Sequence, residues 1–383
     1  MRNEIETGRG VQLIMTETQK KIYFFIGTEA ELIKVFPVII ACQKAGNQCH
    51  LIASGQNDLH KSRILDFIQL NGKYVELSKE ESIQKSAVGL LRWFLAVKKK
   101  APKIIREQFG AEALTGASLV VHGDTVSTMM GAFIAKKLRM RVCHVEAGLR
   151  SHNLLNPFPE EIDRLITSRL TSVHFAPGNL PAKNLEKAKG KVINTKYNTI
   201  LDSLSFSRTV EVMTEEVQRI QGEDYFVFVM HRQENLMNKE FFVQVLSQVK
   251  QFSRQRKCVL ILHKITENKL RELNLLEELR ADEHFLLLSR VDYFDFMKLL
   301  DGAQYVITDG GSNQEELHYM GKPCLIMRKT TERQEGIGEN AVMYAGKIEN
   351  MRKFVAQYHN YQKECLLGKY SPSKRICEVL SRL

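Results

Sequence analysis

The chain lacks most of the signatures that assign a chemistry outright. Its seven cysteines are odd in number and contain no C-x-x-C. That pattern offers neither a disulfide framework nor a thiolate zinc site. Cys143, Cys258 and Cys324 sit inside apolar runs and read as buried free thiols of a reducing, cytoplasmic protein. No H-E-x-x-H and no Cys/His ligand spacing occurs, so no metal is expected. G-x-x-x-x-G-K-[ST] and G-x-G-x-x-G are both missing, which removes the P-loop and the dinucleotide fingerprint. There is no Asp-x-Asp pair to bridge a metal to a nucleotide diphosphate. No apolar run approaches the length of a membrane span. Residues 1–20 have no apolar signal core and read as a loose extension.

What is present is length and apolar content. With 383 residues, 44% of them hydrophobic, two α/β domains are the natural expectation. The formal net charge is +11, spread along the chain, with Lys98-Lys99-Lys100 the one tight run. Spread charge suits a small anionic ligand better than nucleic acid or a membrane.

Short apolar runs alternate with helical periodicity, which predicts parallel sheets. Lys21–Ile26 is a buried first strand ahead of Gly27-Thr28 and a helix. Cys49–Ser54 is a second strand, followed by a helix from Leu59 to Leu70. Ser82–Lys100 is a third helix. Ser118–His122 runs into Gly123-Asp124-Thr125, Arg141–Val145 into Glu146, and a proline-bounded loop into Glu160-Glu161. Ligands of parallel sheets bind beyond the carboxyl ends of the strands, so these acids point to one crevice. A helix at 178–190 and a connection at 198–207 bring the chain to a boundary near 200–210. The first domain is expected over 21–203 and the second over 204–365.

The second series opens with Tyr225–Met230, which ends at His231-Arg232-Gln233-Glu234-Asn235. It continues through helices at 239–253, 266–280 and 292–301 to Tyr305–Thr308. There Asp309-Gly310-Gly311-Ser312 leads into a helix, a turn suited to holding an anion with backbone N–H groups. Read singly, each feature has a plainer explanation. Glu160 and Glu161 suit the start of a helix. Lys34 suits a solvated helix face, and the glycines suit a tight turn.

Taken in order, H-G-D-T (122–125), H-V-E-A-G-L-R (144–150), P-F-P-E-E-I-D-R (157–164), H-R-Q-E-N (231–235), Q-E-E-L-x-x-x-G-K-P (314–323) and T-E-R-x-E (331–335) closely resemble the UDP-N-acetylglucosamine 2-epimerase family. The resemblance spans residues 21–346. It implies a GT-B-like fold of two doubly wound Rossmann-type domains facing a cleft. A C-terminal helix within 366–383 would pack back on the first domain. It also implies a cofactor-free reaction, in which UDP is eliminated across C1–C2 and adds back after C2 is re-protonated from the other face.

Asp124, Glu146 and Glu160 match the family's catalytic acids, and His231 its histidine near the diphosphate. Glu316 matches a ribose-binding glutamate and Arg333 a diphosphate arginine. Gly310, Gly311 and Ser312 would hold phosphate, with Lys34 and Arg164 as further cleft residues. The implied partners are a UDP-sugar and a second copy of the chain. One departure is Glu29, which stands where the family has arginine. The resemblance leaves open a hydrolysing 2-epimerase and the 2-epimerase of a modified UDP-acetamido sugar. A glycosyltransferase on the same fold is the reading from another class.

Overall fold

The computed structural model describes residues 19–79, 87–153, 159–289, 291–331 and 333–383. The extension through residue 18, the helix start at Ser82, the Pro157-Phe158 turn and Glu332 lie outside the described residues.

Two parallel sheets organise the chain. The first contains β1 (Lys21–Ile26), β2 (Gln48–Ala53), β3 (Tyr74–Glu76), β4 (Ser118–His122), β5 (Arg141–Val145), β6 (Val173–Ala176) and β7 (Lys191–Asn194). Their spatial order is β3-β2-β1-β4-β5-β6-β7. The second contains β8 (Tyr225–Val229), β9 (Lys257–Leu262), β10 (Phe285–Ser289), β11 (Val306–Thr308), β12 (Cys324–Ile326) and β13 (Ala341–Met343), in the order β10-β9-β8-β11-β12-β13. Helices cover both faces of each sheet, so the central strands are apolar without alternation. In β1, Phe24 and Ile26 enter one core while Tyr23 and Phe25 enter the other.

Each sheet reverses its winding once, between β1 and β4 and between β8 and β11. These switch points are where a doubly wound sheet leaves a crevice for ligand. Gly27 and Gly123 follow the strands at the first; His231 and Asp309 follow those at the second. The helix Glu29–Lys44 leaves β1 under a capping box. Thr28 Oγ1 accepts the Glu31 N–H at 3.2 Å, while Glu31 Oε2 accepts the N–H of Thr28 at 3.4 Å and of Gly27 at 2.6 Å.

Several expected elements differ. The connection at 198–207 contains a helix, Ile200–Ser207, whose Ile200, Leu201 and Leu204 enter the core beneath the second sheet. The helix expected at 266–280 is two, Lys264–Glu272 and Leu276–Ala281, broken where Asn274 takes a left-handed φ of 56°. The helix from Leu59 to Leu70 shrinks to a turn of 3-10 helix and Ile64–Ile68. The one at 178–190 shrinks to Asn179–Asn184.

The last helix, Pro372–Arg382, returns to the first sheet. Ile376, Cys377 and Leu380 join Phe36, Ile39 and Cys42 in one core. Asn47 Nδ2 donates to Ser381 Oγ at 2.9 Å, and Arg141 Nη1 to the Leu383 carbonyl at 3.1 Å. No helix of the described residues is long and apolar enough to cross a membrane.

Candidate active site

Glu146 leaves β5 with a left-handed φ of 62°, a conformation that a non-glycine residue adopts at a cost. The turn aims its carboxylate back across the switch point. Glu146 Oε2 lies 2.6 Å from Lys34 Nζ and 3.0 Å from His122 Nε2, and the side chain is 7% exposed. Burial alone would raise this carboxyl. The charges of Lys34, His122 and Arg333 outweigh burial and hold it well below the usual carboxylate range. Lys34 is the reverse case. Burial would discharge it, but Glu146 and Glu315 keep it charged.

Lys34 links the two halves of the chain. Its Nζ lies 3.8 Å from Glu315 Oε2, and Glu315 accepts a 2.6 Å bond from Arg333 Nη1. The line Glu146–Lys34–Glu315–Arg333 thus runs from the end of β5 to the loop beyond β12. The charge of Glu315, above all, keeps Arg333 protonated.

The other acids gather at the start of the helix Glu160–Leu170. Asp124 Oδ2 accepts from Arg164 Nε at 2.9 Å and Nη2 at 2.6 Å. Glu161, fully buried, accepts from Arg150 Nε at 2.6 Å, the Ser151 N–H at 2.9 Å and Arg164 Nη1 at 3.3 Å. Glu160 Oε2 and Asp163 Oδ2 are buried with no hydrogen-bond partner. Burial, then the charges of Asp124 and Glu160, push Asp163 up to about 7. Of the four carboxyls here, Asp124 and Glu161 take the two arginines.

At the second switch point Asp309 is a fully buried anchor. It accepts the N–H groups of His231 at 3.0 Å and Arg232 at 2.9 Å, and Asn235 Nδ2 at 3.0 Å. Burial opposes its ionisation, but His231 and these donors hold its carboxyl below the ordinary range. His231 is one-third exposed, with Nδ1 3.2 Å from Asp309, and its ring stacks on His263 at 4.5 Å.

The glycine turn caps the helix Gly311–Met320. The Gly310 N–H already donates to Thr308 Oγ1 at 2.9 Å, which leaves Gly311 and Ser312 to offer backbone donors. A side chain at Gly311 would point at Arg328 and Arg333, 3.3 and 3.6 Å away. Arg328 Nε and Arg232 Nε both donate to the Asp309 carbonyl, at 2.8 and 3.1 Å. Three guanidinium groups therefore ring one helix N-terminus, an arrangement suited to a diphosphate. One turn along, Glu316 is pinned by Asn313 Nδ2 at 3.0 Å. Burial, with Glu315 adding, pushes it up to about 7.

The structure thus joins Lys34, Glu146 and Arg333 in one charged line. It bonds Asp124, in the turn after β4, to Arg164 on the helix that Glu160 opens, and sets His231 beside the turn at Gly310, Gly311 and Ser312. Sequence reasoning passed over His122, Asp163, Glu315 and Arg328. His122 lay inside a quoted motif, and Glu315 adjoins Glu316. Nothing in the sequence marked Arg328.

Two doubly wound sheets with their crevices joined through Lys34 and Glu315 define a GT-B-like α/β protein. Within that class the chain belongs to the UDP-N-acetylglucosamine 2-epimerase family, whose model matches residues 104–381. A UDP-N-acetylglucosamine 2-epimerase of Methanocaldococcus jannaschii is 28% identical over 348 residues, 88% of this chain and 90% of the relative. The solved structure of a UDP-GlcNAc 2-epimerase from that organism aligns with a TM-score of 0.76 at 26% identity, over 95% of this chain and 100% of that one. A relative of the same name from Campylobacter jejuni is 28% identical, covering 94% of this chain and 96% of its own.

Proposed function

We propose that the protein is a UDP-N-acetylglucosamine 2-epimerase acting by elimination and re-addition of UDP. The observation that carries this reading is the line Glu146–Lys34–Glu315–Arg333. It sets a buried ionised carboxylate and an arginine-ringed glycine turn on opposite walls of one cleft.

The C2 proton of an acetamido sugar is not acidic, because no carbonyl adjoins it in the ring. Removing it together with the C1–O bond avoids a free carbanion. A carboxylate takes the C2 proton, the C1–O electrons leave with UDP, and a C1=C2 glycal forms. A carboxylic acid on the other face then protonates C2, and a UDP oxygen adds to C1. Glu146, Asp124 and Glu160 supply the acid/base set. Glu146 is ionised in the resting site and suits proton abstraction. Glu160 brings a buried oxygen with no hydrogen-bond partner to the same set. His231, the Gly311 and Ser312 N–H groups and Arg333 stabilise the departing diphosphate, and Gly310 shapes the turn. Glu316 accepts from the ribose hydroxyls. Similarity to the M. jannaschii protein, solved in complex with UDP-GlcNAc and UDP, supports the choice of nucleotide.

Proton NMR of the protein with UDP-N-acetylglucosamine tests the assignment. The expected product is a UDP-linked manno sugar. Free N-acetylmannosamine plus UDP would replace this reading with the hydrolysing one, and an unchanged substrate would remove it.

A further inference from the structure

The acids occupy the carboxyl ends of the first sheet; a second polar cavity opens near the amino ends of β1 and β2. Tyr23 and His50 stack there at 4.8 Å, and Phe109 closes edge-on against them at 5.0 and 4.9 Å. Tyr23 is fully buried and His50 is 5% exposed, yet Tyr23 Oη and His50 Nε2 have no hydrogen-bond partner. Buried polar groups are rarely left so.

The loop before β3 fixes what these groups offer. The Lys73 N–H donates to His50 Nδ1 at 2.9 Å, so the ring proton sits on Nε2. Only glycine permits this approach at Gly72, where a Cβ would fall 2.1 Å from the Cys49 carbonyl and 2.6 Å from His50 Nδ1. Burial, then Lys21 and Lys73, lower His50 to about 4, and burial raises Tyr23 to about 12. Near neutral pH both therefore remain uncharged donors. Lys73 is held at the rim, with Nζ donating to the Gln108 carbonyl at 2.5 Å.

The cavity measures about 320 Å³ and is also lined by Lys21, Gln48 and Asn71. That is the lower end of the range for ligand sites, too small for a UDP-sugar and adequate for a small anion. Two donors under two ammonium charges repel cations and leave an acceptor to be supplied. We propose that this cavity binds a small oxyanion, a carboxylate or a phosphate group, through His50 Nε2–H and the Tyr23 hydroxyl. The inference is independent of the function proposed for the cleft.

The test uses the full chain carrying ¹⁵N-histidine. The His50 Nε2–H signal is followed during titration with sodium phosphate and, separately, sodium acetate, with ionic strength held constant by chloride. The expected result is a saturable shift with one of the two, which identifies the group. Tyr23→Phe keeps the stacked ring and should weaken binding about tenfold through loss of one hydrogen bond to a charged group. Lys21→Gln should weaken it severalfold. A signal unmoved by either anion would overturn the proposal and make the cavity a water site. A shift reproduced by chloride, or an affinity unchanged by Tyr23→Phe, would overturn it equally.

Discussion

Glu146 and Asp163 occupy neighbouring parts of one acidic crevice and are both nearly inaccessible, yet burial leaves them in opposite states. Glu146 has Lys34 at 2.6 Å and stays ionised far into acid. Asp163 has an unpartnered oxygen and two acidic neighbours, and holds its proton up to about 7. Glu161, fully buried between them in sequence, is satisfied by two arginines and a backbone N–H, and its carboxyl also lies below the usual range despite burial. Burial pushes all three carboxyls up; the cations and donors around Glu146 and Glu161, absent around Asp163 among the described residues, decide which of them stays ionised. Elimination and re-addition need both states, an ionised carboxylate to accept the C2 proton and a protonated one to deliver a proton to the other face.

Glu146→Gln should break the comparison most completely. It removes the charge that Lys34 and His122 organise, and C2–H exchange should fall about 10²–10⁴-fold in a folded protein, as read by deuterium uptake. Lys34→Met attacks the same pair from the other side. It strands a buried carboxylate, so urea denaturation should show a loss of about 3 kcal/mol alongside the fall in activity.

Asp163→Asn sharpens the contrast through pH. The folded pKa of Asp163 lies above that of an unfolded aspartate, so its neutral form is favoured below about 7 and that benefit is lost as pH rises through it. Urea denaturation should show the wild type losing stability as pH rises through about 7, and the asparagine variant, permanently neutral, should lack that limb. An unchanged limb would assign it elsewhere. Arg150→Gln should have the smallest effect. Glu161 keeps Arg164 and the Ser151 N–H, and stability should drop by about 1 kcal/mol in the same denaturation assay.

These contrasts also mark what the sequence made legible. The strand runs at β1 and β8, and the polar turns after them, were plain because a fully buried parallel strand is apolar along its length and stops abruptly. The order of motifs placed Asp124, Glu146, His231 and Arg333 in one reading. The three-residue strands β3 and β13 carried too little pattern to be seen. The helix Ile200–Ser207 was hidden by its three serines, whose hydroxyls here turn back to carbonyls, Ser203 Oγ reaching that of Ile33 at 2.5 Å. Spacing does not encode the pairing of Glu315 with Arg333 or the isolation of Asp163. Both arise from how elements far apart in the chain pack together.

The central claim is that UDP leaves and returns within the cleft. Positional isotope exchange tests it directly, using UDP-N-acetylglucosamine labelled with ¹⁸O in the C1–O–P bridge. The account predicts that recovered substrate carries label in a non-bridging β-phosphate oxygen, since the freed diphosphate can rotate before it re-adds. Epimerised product with the label still wholly in the bridge would contradict it.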